Sequence, residues 1–109
     1  MLKNKTKNKI VSNEITLKEG LEKTLGLMLK KEPETILFKT RLGIHTFFVK
    51  FPIDVLVLDK NMRVRVLKEK LEPNRVMFWN LRFDTVIELP VGFINKSKTE
   101  LNDLLEFDL

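Results

Sequence analysis

Ile44-His45-Thr46-Phe47-Phe48-Val49-Lys50-Phe51-Pro52-Ile53-Asp54-Val55-Leu56-Val57-Leu58 decides how this chain folds. The stretch is dense in aromatic and β-branched residues, which suit a pleated, packed surface. Pro52 divides it, since proline has no N–H to give a ladder and marks a strand start or bend. Residues 53–58 are nearly unbroken apolar, the pattern of a strand buried on both faces. Asp59-Lys60-Asn61-Met62 then reads as a hairpin turn into a strand over 63–68.

Working outward, 36–38 and 85–89 read as further strands, the second stopped by Pro90. Residues 91–96 read as a short helix, and 104–107 as a closing strand. Upstream, Thr16-Leu17-Lys18-Glu19 has the form of a capping box, in which Thr16 caps and Glu19 reaches back. Leu17, Leu21, Leu25 and Met28 follow at helical spacing, predicting a helix to about Lys30-Lys31, ended by Glu32-Pro33-Glu34. Gly20 and Gly26 weaken that helix by roughly 1 kcal/mol each. The expected fold is α+β, mainly β: one small roll or barrel-like sheet with one or two short helices.

Composition agrees with a single domain. The 109 residues are 43% hydrophobic and 32% charged, with no Cys. That removes disulfides, thiolate metal sites and a Cys nucleophile. Met1 to Lys9 carries four lysines and no acid, so residues 1–9 are expected to be a flexible basic tail and 10–109 the globular domain. No apolar run follows the lysines as a secretory signal requires, so a cytoplasmic protein is expected. The net charge of +5 is unevenly spread: residues 1–9 hold +4, residues 99–109 hold −4, and 10–109 together hold only +1.

Three residues and one segment are candidates for chemistry. Asp54 interrupts an apolar strand, so its carboxylate must be hydrogen-bonded, paired or protonated. It is either a ligand-binding or general-base carboxylate, or an acceptor for backbone N–H groups at the Pro52 bend. Glu88 interrupts 86–89 in the same way, and the two carboxylates could form an acid/base pair. His45 is the single histidine and shares strand parity with Phe47, Val49 and Phe51, which predicts an inward-pointing ring. As a catalytic base it would need Asp54 or Glu88 as an orienting partner. Arg75-Val76-Met77-Phe78-Trp79-Asn80-Leu81-Arg82-Phe83 interleaves arginines with aromatics. Its rings either stack on bases, with Arg75, Trp79 and Arg82 as the nucleic-acid contact, or plug the core. No metal-ligand spacing, P-loop, dinucleotide fingerprint or nucleophile elbow is present.

Taken together, Gly26-Leu27-Met28, the block from His45 to Asp59 and Val86-Ile87-Glu88-Leu89-Pro90-Val91-Gly92 resemble the uncharacterised family called domain of unknown function 192. Its members read GLMFR, then H-T-F-x-M-x-F-P-I-D-V-x-F-L-D, then L-E-L-P-A-G and a closing G-D. The resemblance covers roughly residues 17–107. His45, Thr46, Phe47, Pro52, Asp54, Asp59, Glu88, Pro90 and Gly92 fall on the pattern. Val49 replaces the usual Met, and Met62 replaces a turn Gly, which predicts a different turn there. Asn102-Asp103 replaces Gly-Asp, and Asn tolerates the left-handed region. The resemblance implies a compact, mainly β fold and no particular reaction.

These readings give a non-enzymatic binding domain with a small polar cleft lined by His45, Thr46, Asp54 and Glu88. A hydrolase using His45 with Asp54 or Glu88 is the alternative, and a nucleic-acid binder the second. No cofactor, no metal and no membrane contact are expected; a small ligand is the favoured partner over nucleic acid, and the chain is expected to be a monomer.

Overall fold

The structure, a computed structural model, describes residues 1–19, 30–41 and 43–108. Ten strands occur in chain order: β1 (Leu2–Asn4), β2 (Lys9–Ser12), β3 (Thr16–Leu17), β4 (Ile36–Lys39), β5 (Gly43–His45), β6 (Ile53–Leu58), β7 (Val64–Leu71), β8 (Val76–Phe78), β9 (Thr85–Pro90) and β10 (Leu105–Phe107). One described helix, α1 (Phe93–Ser97), lies between β9 and β10. The fold is mainly β with a short helix, and no described helix is long and apolar enough to cross a membrane.

A five-stranded sheet, ordered β3-β4-β9-β6-β7, forms the centre. All six residues of β6 are buried, because the sheet is covered on both sides. Leu37, Leu56, Leu58, Ile87 and Leu89 project to one face, meeting Leu2, Val11, Ile94 and Leu105. Those partners come from the β10-β1-β2 sheet and from α1. Ile36, Phe38, Ile53, Val55, Val57 and Val86 project to the other face, where Ile44, Met77, Trp79 and Phe83 pack on them. The second cover is the β5–β8 ribbon and its flanking loops.

Residues 2–9 differ from the flexible tail expected of them. Leu2 is wholly buried, and β1 pairs with β2 and β10. Leu2 and Asn4 alternate inward while Lys3 turns out, so a lysine-rich string still supplies one apolar anchor. The capping box at Thr16 is also not a helix start. Thr16 and Leu17 run parallel to Ile36 and Leu37, with the Thr16 N–H donating to the Thr35 carbonyl at 3.1 Å. A free sheet edge offers these residues long-range partners that outweigh the local cap. Most of the helix expected after Thr16 lies outside the described residues.

The 44–51 strand is cut short. β5 ends at His45, and Phe47-Phe48 turns with Phe48 at φ 65°. The Asp59 hairpin forms as expected, yet Met62 takes φ 66° and so occupies the left-handed position of a glycine. Its N–H donates to the Asp59 carbonyl and the Asp59 N–H to Arg63. Asn102, at φ 74°, adopts the left-handed conformation expected of it.

Candidate functional site

Asp54 is fully buried and fully engaged. It lies opposite a bulge, where the register passes from Ile53↔Leu71 to Val55↔Lys68. Its Oδ1 accepts the N–H of Lys70, which is left without a ladder partner at φ 53°. Oδ2 accepts the N–H groups of Gly92 and Ile94, both at 3.1 Å. Gly92, the residue preceding α1, has no side chain to cap the helix. Asp54 supplies that cap from another strand, so one carboxylate holds the bulge and the helix start together.

Glu88 faces away from Asp54. It is registered between Ile36 of β4 and Val55 of β6, on the face shared with Val86. Asp54 is registered with Leu89, on the face of α1. The sheet therefore separates the two carboxylates, and they form no acid/base pair. Only 5% of Glu88 is exposed, and burial pushes its carboxyl up to about 7.

Thr46 is buried and acts as a clamp. Its Oγ1 donates to the Glu72 carbonyl at 2.7 Å and accepts the Arg75 N–H at 2.8 Å. The Thr46 backbone carbonyl also accepts from Asn74 and Val49. His45, next to it, is exposed. The expected inward parity fails because Ile44, not His45, meets the core. Its Nδ1 accepts the Phe47 N–H at 3.3 Å, and its ring stacks on Phe47 with centroids 5.2 Å apart. Among the described residues no carboxylate hydrogen-bonds or ion-pairs with His45. His45, Thr46, Asp54 and Glu88 thus do not line one cleft. A cleft of about 730 Å3 lies elsewhere, between Ser12, Glu14, Glu34, Thr35, Phe93 and Lys96. Among the described residues no group of three His or carboxylate side chains gathers to hold a metal ion.

What the structure does assemble near His45 is an apolar outer face. β5 and β8 pair Gly43 with Phe78 and His45 with Val76. Ile44 and Met77 alternate inward, so Gly43, His45, Val76 and Phe78 share the outward side. Phe78 and Phe48 are each 75% exposed, Val76 47% and Phe47 41%. A Cβ at position 43 would strike the Met77 carbonyl oxygen and come within 2.9 Å of Phe78 Cδ1. Glycine is therefore what lets β5 approach the β8 backbone this closely at Met77 and Phe78. Trp79 takes the core role instead: it packs on the inner cluster and donates its indole N–H to the Phe83 carbonyl at 2.9 Å.

Charge separates in the same way. The N-terminal lysines are drawn onto the acidic C-terminal segment by the β1–β10 pairing. Lys7 Nζ meets Glu100 at 2.8 Å and Asp103 at 2.9 Å, Lys5 meets Glu106 at 3.6 Å, and the terminal ammonium meets Asp108 at 3.2 Å. Hydrogen bonds to Glu100 and Asp103 raise the Lys7 pKa. Desolvation alone would raise Asp103, but hydrogen bonds from Asn4, Lys7 and Glu100 leave it lowered. By contrast, segments 39–51 and 72–84, which carry the ribbon, hold five Lys and Arg against two acids. Arg41, Lys50, Arg75 and Arg82 are all exposed there.

The comparisons with known proteins bear on the fold. A family model described as uncharacterized ACR, domain of unknown function 192, matches residues 2–107, a span that includes β1. A UPF0127 protein of Pyrococcus horikoshii is 33% identical and aligned over 98% of each chain. A UPF0127 protein of Thermococcus sibiricus is 32% identical over all of this chain and 75% of its own length. A solved structure of a protein of unknown function from Novosphingobium aromaticivorans has a TM-score of 0.73 at 17% identity, covering 86% of this chain and 73% of the other; it shares the fold. Because the family model and the Pyrococcus horikoshii relative both run almost from end to end, this chain belongs to the uncharacterized ACR family, domain of unknown function 192.

Proposed function

We propose that this domain is a non-enzymatic binding module whose contact surface is the outward face of the β5–β8 ribbon, and that its partner is anionic. One observation carries the reading: Phe78, 75% exposed, shares the outward side of the ribbon with Val76 and with His45, on which Phe47 stacks, and the equally exposed Phe48 follows in the adjoining turn. Exposed large hydrophobics scattered singly are ordinary, whereas several gathered on one rigid face mark an interaction surface. Arg41, Lys50, Arg75 and Arg82, exposed in the segments that carry the ribbon, suit a negatively charged partner. Of the four residues expected to line a polar cleft, only His45 belongs to this face. Thr46 supports it from behind by tying β5 to the loop before β8.

The hydrolase reading lacks its central contact, since Asp54 is engaged by three backbone N–H groups and His45 by Phe47. The test of the binding reading uses three anionic probes: heparin, phosphatidylserine vesicles and single-stranded DNA. Wild type is compared with a Phe48→Ser/Phe78→Ser variant of unchanged Tm. The expected result is that at least one probe binds wild type and not the variant. If every probe treats the two proteins alike, the face is not a binding surface.

A further inference from the structure

We infer that the anionic partner of the β5–β8 face is single-stranded nucleic acid, bound by stacking of bases on Phe78 and the His45–Phe47 pair with Arg75 and Lys50 on the phosphates. The inference rests on the binding reading above and names its partner class. It also reverses the sequence-based preference for a small ligand. That preference rested on a polar cleft lined by His45, Thr46, Asp54 and Glu88, which do not come together in the fold.

The geometry favours bases in three ways. First, the rings are exposed. Phe78, registered with Gly43, is 75% exposed, and the His45 and Phe47 rings are stacked with an interplanar angle of 27°. Exposed aromatic rings suit planar bases, and base–aromatic stacking tolerates any sequence. Second, same-face positions on a strand repeat every ~6.6 Å, so Gly43 and His45 set the ring positions in a row along the ribbon. A single strand can lay successive bases along such a row, while a duplex keeps its base faces inside the stack. Third, exposed cationic residues adjoin the ring-bearing segments in the chain: Arg75 precedes Val76, and Lys50 follows the Phe47-Phe48 turn.

Other occupants meet physical objections. A second copy would bring two lobes of the same positive charge together, as an isologous contact must. A membrane surface accepts purely apolar tips, whereas Phe47 is stacked on the polar imidazole of His45. Phe78 lies on the paired β5–β8 ribbon, where insertion into a bilayer would bury the ribbon's polar backbone edge.

Fluorescence anisotropy of short labelled single-stranded DNA and RNA tests the inference on the full chain, with phosphatidylserine vesicles in parallel. Binding should weaken steeply between about 50 and 200 mM salt. Arg75→Gln should lower the slope of log affinity against log salt by about 0.7. Phe78→Ala should weaken binding roughly 5- to 100-fold without changing that slope, a split that a general loss of structure would not produce. Lys3→Gln, remote from the ribbon, should leave binding unchanged. No salt-dependent binding, or equal binding by Phe78→Ala, overturns the inference. Vesicle binding that depends on Phe48 and Phe78 without oligonucleotide binding also overturns it, while leaving the binding face itself standing. Silence from all probes removes both.

Discussion

Lys7 and Asp103, 96 positions apart in the chain, meet at 2.9 Å and close the first hairpin onto the last segment. Asn4, wholly buried, donates to the same carboxylate at 2.8 Å, and the Glu100 N–H adds a third bond. This cluster turns two charged ends, which look like loose extensions in the linear chain, into one edge of the fold. It also bears on where positive charge remains free, since Lys5, Lys7 and the terminal ammonium pair with the C-terminal acids.

Asp103→Asn is expected to destabilise the protein and loosen the N-terminal strand together with β10. The folded-state pKa of Asp103 is lowered, so its stabilisation is present above the ordinary 3.8 of an aspartate and is lost as pH falls below it. Urea unfolding across the acid range measures this. The wild type should lose stability on acidification more steeply than Asp103→Asn, and amide exchange at Asn4 should accelerate in the variant. Parallel acid limbs for the two proteins would contradict the assignment.

Asp54→Asn tests the clamp between bulge and helix. An amide in the same place presents an NH2 toward an N–H donor on at least one side, leaving buried groups unsatisfied. The expected cost is about 2–4 kcal/mol, read as a lowered Tm and urea midpoint. Amide exchange should accelerate at Ile94 and Lys70, the two donors held from different elements. Full retention of stability would mean that the carboxylate is kept for some purpose other than this clamp.

Glu88 gives the opposite pH dependence. Its ordinary pKa of 4.5 is raised to about 7 in the folded protein by desolvation. Below pH 4.5 the folded and unfolded states are both protonated there. As pH rises the unfolded state releases its proton first, so stability falls through this window and levels off above about 7. The loss attributable to this one group is about 3 kcal/mol. Glu88→Gln should remove that decline and be the more stable protein at about pH 8. Denaturant midpoints at about pH 5 and about pH 8 decide it; a variant with the wild-type pH profile would place the titration elsewhere.

The central sheet was legible because its signals are local and strong. An apolar run over Ile53–Leu58 after Pro52 could hardly be anything but a doubly covered strand, and the Asp59 turn followed from its residue types. Asp54 was recognisable as a residue in need of partners, but the partners at Lys70, Gly92 and Ile94 are 16 to 40 positions away. Thr16 misled because a capping box is a statement about four residues, while the edge of β4 that captured it is a tertiary fact. His45 misled through parity: alternation was carried across Phe47-Phe48, where the chain turns. The charge pairing of Lys5 and Lys7 with Glu106, Glu100 and Asp103 had no local signal at all.

Phe48 joins stability and binding in one substitution. Its φ of 65° lies in the left-handed region, which costs an L-residue with a large side chain about 1–2 kcal/mol. Three-quarters of the residue is exposed, so little packing offsets that strain. Glycine takes this conformation freely, although its extra freedom in the unfolded chain returns about 0.4–1 kcal/mol of the gain. Phe48→Gly should therefore raise the Tm by a few degrees, on the order of 4–8 °C for each kcal/mol gained at this chain length. If the ribbon face is a binding surface, the same variant should bind its anionic probe more weakly. Thermal melts and anisotropy on the one protein report both quantities. A residue retained for folding would show the reverse, with a lower Tm and unchanged binding.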